Sequence, residues 1–385
     1  MNCRSEISEF GTTSDGDVVH RAVMENRGGL RVAILSFGGI IQSLEVPGRD
    51  GTTDNVVLGF DALHRYETDD SYLGAIVGRC ANRILHGSFT LDGVTYQLDR
   101  NDTFGTMHGG STSIDKRVWA MDVVDGPDSC GLRLTIVSRD GDNGFPGNVT
   151  ITATYELPHD VNVLRLGFEA TTDAPTVVNL TGHSYFNLAG EGSGSVGDHV
   201  LTVDADAYLP VTTELVPTGS VEPVSGTPFD FRAPWPIAER IRHGNEQLRL
   251  GRGYDHNFVL RKPRDGSSFA RAARLEEPTS GRAMEVWTTE PGLDVYTGNF
   301  LDGSIVGSGG RIYRQGDAIA LEPEHFADSP NQPEFPSVEL RPGELYRSRT
   351  EYRFGTVEAA GADGAVRVGG RHAAVGDRAV AGASR

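Results

Sequence analysis

The chain has 385 residues, of which 38% are hydrophobic and 23% are charged, a composition typical of a soluble globular protein with enough chain for a sizeable core. A formal net charge of −18 argues against nucleic acids and anionic membrane surfaces as partners, although it does not restrict neutral ligands. The N-terminus lacks the apolar segment of a signal peptide, no apolar run is long enough to span a bilayer, and three scattered cysteines make no disulfide framework, so we expect a cytoplasmic protein.

The first predicted elements follow from alternation of apolar and polar residues, which is the pattern of half-buried β-strands. Residues 18–48 alternate in three segments that break at 26–29 and at Gly38-Gly39, which predicts three strands. Residues 88–99 alternate on both sides of Asp92-Gly93, a two-residue turn, so a β-hairpin is predicted there.

The middle of the chain continues the same pattern. Three alternating segments rich in Val, Ile, Leu and Thr follow one another closely over residues 132–141, 148–157 and 161–172. A further strand pair is predicted over 270–290, around the turn residues 278–281.

Helical signals are few and short, and the best of them lie at 61–66 and 236–243. Many strands with little helix predict an all-β fold, a sandwich or a barrel, in one large antiparallel domain over residues 1–355. Over residues 356–385 the composition turns to Ala, Gly, Val and Arg, which has little to bury and predicts a disordered tail.

Five stretches place polar and ionisable residues beside Gly or Pro, where strands are expected to end. They are VGRCANRI (77–84), FGTMHGG (104–110), NLTGHSYFNLAG (179–190), GRGYDHNF (251–258) and ALEPEHFADSPNQPEFP (320–336). Rigid strands that present loops are where binding groups tend to lie, so each stretch is a candidate for ligand contact. A large concave sheet suits a carbohydrate, but composition alone does not select a sugar over another small ligand.

Each candidate side chain also has a purely structural interpretation. His183, among aromatic residues, can be a packed core histidine, and Arg83 can be one partner of a structural ion pair. His108 and Asp255 can serve turns. Glu322 follows the apolar run AIAL, so its half-buried carboxylate needs partners, either for catalysis or for an ion pair.

The motifs do not indicate a metal or a cofactor. Five side chains are conceivable metal ligands: His108, His183, His256, Glu322 and His325. They are scattered, and the sequence has no HxH, HExxH or paired CxxC. It also lacks a GxxxxGK[ST] loop, a GxGxxG framed by strand and helix, and a GxSxG elbow. We therefore predict neither a bound metal nor a cofactor.

Taken together, the five stretches resemble the aldose 1-epimerases, from about residue 6 to residue 355. The motifs stand in the order of that family: YLGAIVGRCANRI (72–84), MHGG (107–110), NLTGHSYFNLAG (179–190), YDHNF (254–258) with TTEPG and YTGNFLDG (288–303), and ALEPEHFADSPNQPEFPS (320–337). The resemblance implies a large antiparallel β-sandwich that interconverts the α and β anomers of free aldohexoses such as galactose and glucose without metal or cofactor. We expect a monomer or a homodimer.

The resemblance also implies roles for individual residues. It makes Glu322 the general base and His183 the general acid of ring opening. The positions it assigns to the monosaccharide site are Asn82, Arg83, His108 and Asp255. Ser184 and Tyr185 flank His183 and are expected to line the same pocket, and Glu290 is a further predicted sugar-binding residue. For this chemistry we expect an acidic neighbour to raise the pKa of His183, and a cation such as Arg83 to keep Glu322 ionised.

The chain departs from the common family pattern near these residues. Gly182 stands where many members carry Asn, and Asp294 stands where Gln is common. Around the base many members read LETQH, whereas this chain has Pro323 and Glu324 after Glu322. Since residues two apart on a strand share a face, Glu324 is expected to raise the pKa of Glu322.

Three other functions are compatible with parts of the pattern. A mutarotase for hexose 6-phosphates would need a basic cluster, which is not evident in the five stretches. A non-catalytic sugar-binding module would be expected to lose His183 or Glu322, and both are present. An inverting glycosidase would need the carboxyl groups of Glu322 and Asp255 about 6.5–9.5 Å apart.

Overall fold

The computed structural model describes residues 5–262 and 268–358, and the predicted tail beyond residue 358 lies outside the described residues. The first half of the strands is β1 (Ser5–Thr12), β2 (Val18–Glu25), β3 (Arg31–Leu35), β4 (Ile41–Pro47), β5 (Thr53–Asn55), β6 (Ile76–Val77), β7 (Arg83–Leu85), β8 (Ser88–Leu91), β9 (Val94–Gln97), β10 (Gly105–Met107), β11 (Ala120–Val123), β12 (Ser129–Ser138), β13 (Val149–Pro158), β14 (Val163–Thr172) and β15 (Thr176–Val177).

The second half of the strands is shorter on average. It consists of β16 (Thr181–Gly182), β17 (Tyr185–Phe186), β18 (Val200–Val203), β19 (Ala205–Tyr208), β20 (Glu222–Pro223), β21 (Trp235–Pro236), β22 (Asp255–Leu260), β23 (Ala270–Glu276), β24 (Arg282–Thr288), β25 (Gly292–Tyr296), β26 (Asp302–Val306), β27 (Ile312–Arg314), β28 (Ile319–Glu324), β29 (Glu339–Leu340) and β30 (Tyr346–Thr356). The α-helices are α1 (Leu63–Thr68), α2 (Ala238–Ile241) and α3 (Glu246–Gly251).

The segments in which apolar and polar residues alternate are strands in the structure, as the sequence predicted. The three long segments are β12, β13 and β14, which pair antiparallel in that order. In the hairpin of β8 and β9, Asp92 and Gly93 have φ of 50° and 78°, the left-handed conformation that a tight two-residue turn requires. Both predicted helices exist as α1 and α2, whereas α3 was not predicted. None of the described helices has the length and apolar character needed to cross a bilayer.

Two large antiparallel sheets form a β-sandwich, as the family resemblance implies. One sheet has nine strands in the order β11-β12-β13-β14-β30-β24-β23-β18-β21, and the other has six in the order β17-β28-β25-β22-β19-β20. Strands β1 to β5 form a third sheet of five strands. Apolar side chains from both large sheets, such as Leu134 and Leu166 from one and Leu293 and Leu321 from the other, belong to one buried core cluster.

The six-stranded sheet has one face in this core and one face toward a cavity. Leu293, Val295 and Leu321 point into the core. Because successive side chains on a strand alternate between faces, Asp294 and Glu322 fall on the opposite face. The two residues are also directly opposite each other on β25 and β28. The alternation of side chains thus places acidic residues of neighbouring strands on the face toward the cavity.

Candidate active site

Loops and strand ends above this face enclose a cavity of about 970 Å³. Residues from all five sequence stretches line it, so the fold brings together segments that are far apart in the chain. The lining includes seven of the predicted site residues: Asn82, Arg83, His108, His183, Tyr185, Asp255 and Glu322. Their convergence makes this cavity the candidate active site.

His183 and Glu322 lie side by side in the cavity wall. Nε2 of His183 is 3.6 Å from Oε1 of Glu322, and both side chains are buried. The backbone of His183, between β16 and β17, is fixed on both sides: its N–H donates to the oxygen of Ala75 at 2.8 Å, and Gly74 donates to its carbonyl at 3.0 Å. The histidine is therefore held rigidly against the carboxyl group.

A ring of aromatic side chains surrounds His183. Its centroid is 4.9 Å from that of Tyr185, 5.2 Å from His108, 5.9 Å from Tyr72 and 6.3 Å from Tyr296. Tyr72 and Tyr296 also line the cavity but were not predicted as site residues, although both belong to motifs quoted for the resemblance. These rings reduce the contact of His183 with water and lower the local dielectric.

Burial dominates the protonation of the pair. It lowers the pKa of His183 to about 4, so the expectation of a raised pKa is wrong. It also raises the pKa of Glu322 well above its usual value, and Glu324 and Asp294 raise it further. The expected effect of Glu324 is thus confirmed in direction.

Arg83 contacts two other carboxylates. Its Nη1 is 3.9 Å from Oδ2 of Asp255, and its Nε is 3.8 Å from Oδ2 of Asp102. Its charge lowers the pKa of Asp255, but burial outweighs it, and that pKa is raised overall. The guanidinium therefore lies against Asp255 and Asp102, and the prediction that it keeps Glu322 ionised is not supported by these contacts.

Asn82 and His108 hold each other in place. Both have positive φ, 61° and 48°, which few residues other than glycine adopt. The backbone N–H of Asn82 donates to Nδ1 of His108 at 3.2 Å, and the N–H of His108 donates to the carbonyl of Asn82 at 3.1 Å. Burial lowers the pKa of His108 well below its usual value, so the ring is neutral. The reciprocal bonds stabilise the strained backbone.

Two predicted site residues are not part of the cavity lining. Ser184 is buried, and its Oγ has no hydrogen-bond partner among residues 5–262 and 268–358. Glu290 is also buried and pairs with Nδ1 of His325 at 2.6 Å. Burial lowers the pKa of His325, but the charge and hydrogen bond of Glu290 outweigh it and raise that pKa. A sugar-binding role for Ser184 or Glu290 stays a prediction without geometric support.

No group of three or more His, Cys, Asp or Glu side chains in the described part of the chain is arranged to hold a metal ion.

Comparison with known proteins gives concordant matches over most of the chain. A profile of the aldose 1-epimerase family matches residues 20–353. Galactose mutarotase from Sus scrofa is 43% identical over 325 residues, which cover 84% of this chain and 91% of that protein. Aldose 1-epimerase from Escherichia coli (strain K12) is 38% identical over 342 residues, covering 88% of this chain and 96% of that protein.

Solved structures match equally widely. The galactose 1-epimerase from Lactobacillus acidophilus NCFM superposes with a TM-score of 0.81 at 27% identity, covering 92% of this chain and 99% of that one. An aldose epimerase homologue from C. elegans superposes with a TM-score of 0.78 at 30% identity, covering 92% of this chain and 100% of that one. The matches span the strands and loops that form the cavity.

Proposed function

This chain belongs to the aldose 1-epimerase family, and from that premise we propose that His183 and Glu322 interconvert the α and β anomers of free aldohexoses such as galactose and glucose. The class of reaction, isomerisation of an aldose at its anomeric carbon, follows from the family. The assignment of the two residues is supported by one observation above all: Nε2 of His183 and Oε1 of Glu322 lie 3.6 Å apart at the wall of the cavity.

Mutarotation needs one group that removes a proton from the anomeric hydroxyl and one that delivers a proton to the ring oxygen. Glu322 as a carboxylate takes the hydroxyl proton, and His183 as an imidazolium protonates the ring oxygen, so the C1–O5 bond breaks. The C1 carbonyl then rotates, and the ring closes on its other face while the two residues exchange roles. Each well-placed proton transfer accelerates such a step by roughly 10²–10⁴-fold.

The pair requires a single proton between its two members, whichever of them carries it. Burial favours the neutral arrangement, because it lowers the pKa of His183 to about 4 and raises that of Glu322. This arrangement holds as many protons as the imidazolium–carboxylate pair, and it is the state in which ring opening leaves the two residues, ready to close the ring. The imidazolium–carboxylate arrangement opens the ring, and the neutral arrangement closes it.

The charges of the cavity wall favour a neutral sugar over a sugar phosphate. Lys116 already donates to the backbone oxygens of Tyr66 and Asp69, and Arg83 lies against Asp255. A phosphate entering this cavity would meet an excess of acids. Carboxyl side chains that line it are Asp69, Asp70, Asp102, Asp115, Asp255, Asp294, Asp302 and Glu322, against the cations Arg83, Lys116 and Arg252. We therefore propose free aldoses as substrates.

Polarimetry of freshly dissolved sugar tests this function directly. We expect the protein to speed the approach of α-D-galactose and α-D-glucose to their anomeric equilibria, and to act far more slowly on glucose 6-phosphate. Heat-inactivated protein is the control for spontaneous mutarotation. A protein that leaves every free aldose at the spontaneous rate would instead support a non-catalytic sugar-binding module.

The pH dependence of kcat/KM reports the protons of the catalytic pair. Activity requires one proton on the pair, so it is lost on the acid side when His183 also becomes protonated, with a pKa of about 4. On the alkaline side it is lost when Glu322 gives up its proton, at a pKa displaced upward by burial. We expect a bell-shaped profile whose acid limb is centred near pH 4, measured by polarimetry from pH 3 to 10. An acid limb centred near pH 6.5 would show that burial does not control the pKa of His183.

A further inference from the structure

Leu215 has a backbone conformation that leucine rarely adopts. It lies in the loop between β19 and β20, and its φ is 58°, in the left-handed region where a side chain crowds its own backbone. The side chain is half-buried and lines the cavity of the candidate active site. Strained residues persist where the surrounding structure holds them, and they concentrate at functional sites. The conformation of Leu215 therefore needs an explanation.

The strain comes from the turn that carries Leu215. The N–H of Leu215 donates to the carbonyl of Thr212 at 3.1 Å, and the N–H of Thr212 donates to the carbonyl of Val216 at 2.9 Å. Together these bonds close a three-residue hairpin loop over residues 213–215, in which the third residue is left-handed and is usually glycine. Glycine would form this loop without strain, so the turn itself does not require leucine.

The base of this loop is fixed beside the candidate sugar site. Where β19 ends, the N–H of Leu209 donates to the carbonyl of Asn257 on β22 at 2.9 Å, two residues from Asp255. The side-chain amide of Gln247 then binds both backbone groups of Val211: its Oε1 accepts from the N–H at 2.6 Å, and its Nε2 donates to the carbonyl at 3.0 Å. Because the base and the turn are both bonded, the loop presents its third residue to the cavity at a fixed place.

The chemistry of the side chain restricts what Leu215 contributes there. An aldose carries C–H groups between its hydroxyls, and these groups are removed from water only against an apolar surface. The polar side chains of the cavity, such as Asp255 and Arg83, suit the hydroxyls of a sugar. The side chain of Leu215 has no polar atom, so the contact that it can make with a sugar is with C–H groups.

We propose that Leu215 is a substrate-binding residue, which the strained turn holds against C–H groups of the bound aldose. The inference rests on the proposed function, since it adds an apolar contact to the same sugar site. Leu215 carries no titratable proton, so it takes no part in proton transfer between the sugar, His183 and Glu322. It stabilises the bound sugar and the transition state to the same extent, which lowers KM and leaves kcat unchanged.

Replacing Leu215 by Gly tests the proposal, because it removes the side chain and the strain together. We expect KM for galactose, measured by polarimetry, to rise about 3–10-fold at unchanged kcat, since a half-buried leucine has about half of its burial energy left to gain. We expect the midpoint of urea-induced unfolding not to fall, since glycine adopts this φ freely. Leu215→Ala should raise KM similarly but unfold at lower urea than Leu215→Gly, because its Cβ keeps the strain.

Leu345→Gly is the matched control. Leu345 is 45% exposed in the segment between β29 and β30, it does not line the cavity, and its φ is not positive. Glycine at this position should lower the midpoint of unfolding, because it adds freedom to the unfolded chain without relieving any strain. It should leave both KM and kcat at their wild-type values.

An unchanged KM in Leu215→Gly would overturn the proposal. A Leu215→Gly protein that unfolds at lower urea than the wild type would also overturn it, because leucine would then be needed for stability. Calorimetric titration with galactose gives a readout without turnover: in a Glu322→Gln background, adding Leu215→Gly should weaken binding by the same factor. Failure of the proposed function would appear separately, as an absence of catalysis by the wild type while sugar binding still depends on Leu215.

Discussion

Replacing Glu322 by Gln is expected to lower kcat for galactose by about 10²–10⁴-fold, with little change in KM. The amide has nearly the same shape as the carboxyl group but cannot take up or release the proton of the anomeric hydroxyl. Replacing His183 by Asn should have an effect of similar size, because the partner that protonates the ring oxygen is lost. Polarimetry at saturating galactose, with the spontaneous rate subtracted, measures both effects.

The double variant shows whether the two residues act as one unit. Since a proton leaves one residue as the other delivers one, removing both should cost little more than removing either. Glu351→Gln is the matched control: it removes another buried acid, which pairs with Arg165 and Arg353 outside the cavity. It should lower stability and leave kcat largely intact. A folded Glu322→Gln protein that retained a tenth or more of wild-type kcat would contradict the assignment.

The strands of this fold could be predicted from the sequence because burial on one face imposes a period of two. That period also explains the acids: on β25, Leu293 and Val295 pack in the core while Asp294 between them faces the cavity. The pairing of distant strands could not be predicted from alternation, since alternation fixes the face of each residue but not the neighbour of each strand. The register that sets Asp294 against Glu322 is a property of the whole sheet.

The candidate site was only partly predictable from the sequence, because the surroundings of each side chain also depend on the whole fold. The family resemblance singled out His183 and Glu322, and the fold brings them to 3.6 Å. The direction of the pKa shift of His183 was not predictable, because it depends on how completely surrounding rings exclude water. Glu290 belongs to a motif of the family resemblance, but the fold pairs it with His325 away from the cavity.

Two arginines of the stretch VGRCANRI illustrate how similar sequence signals separate in three dimensions. Arg83 lines the cavity, whereas Arg79 is fully buried between strands. The guanidinium of Arg79 donates to the backbone oxygens of Pro146 and Gly147 at 2.6 and 3.0 Å, to that of Arg139 at 2.9 Å, and to the hydroxyls of Ser138 and Thr176 at 2.8 and 3.2 Å. Burial lowers the pKa of Arg79 to about 10, so it remains charged at neutral pH.

Replacing Arg79 by Met is therefore expected to lower the free energy of unfolding by about 3–5 kcal/mol, because several buried oxygens lose their donor at once. Urea-induced unfolding measures the change. Arg347→Met is the control, since Arg347 forms an exposed ion pair with Glu169 at 2.9 Å and should cost about 0.2–1 kcal/mol. A loss for Arg79→Met no larger than for Arg347→Met would show that water replaces the guanidinium. The stretch VGRCANRI would then stabilise the fold through its backbone rather than through the side chain of Arg79.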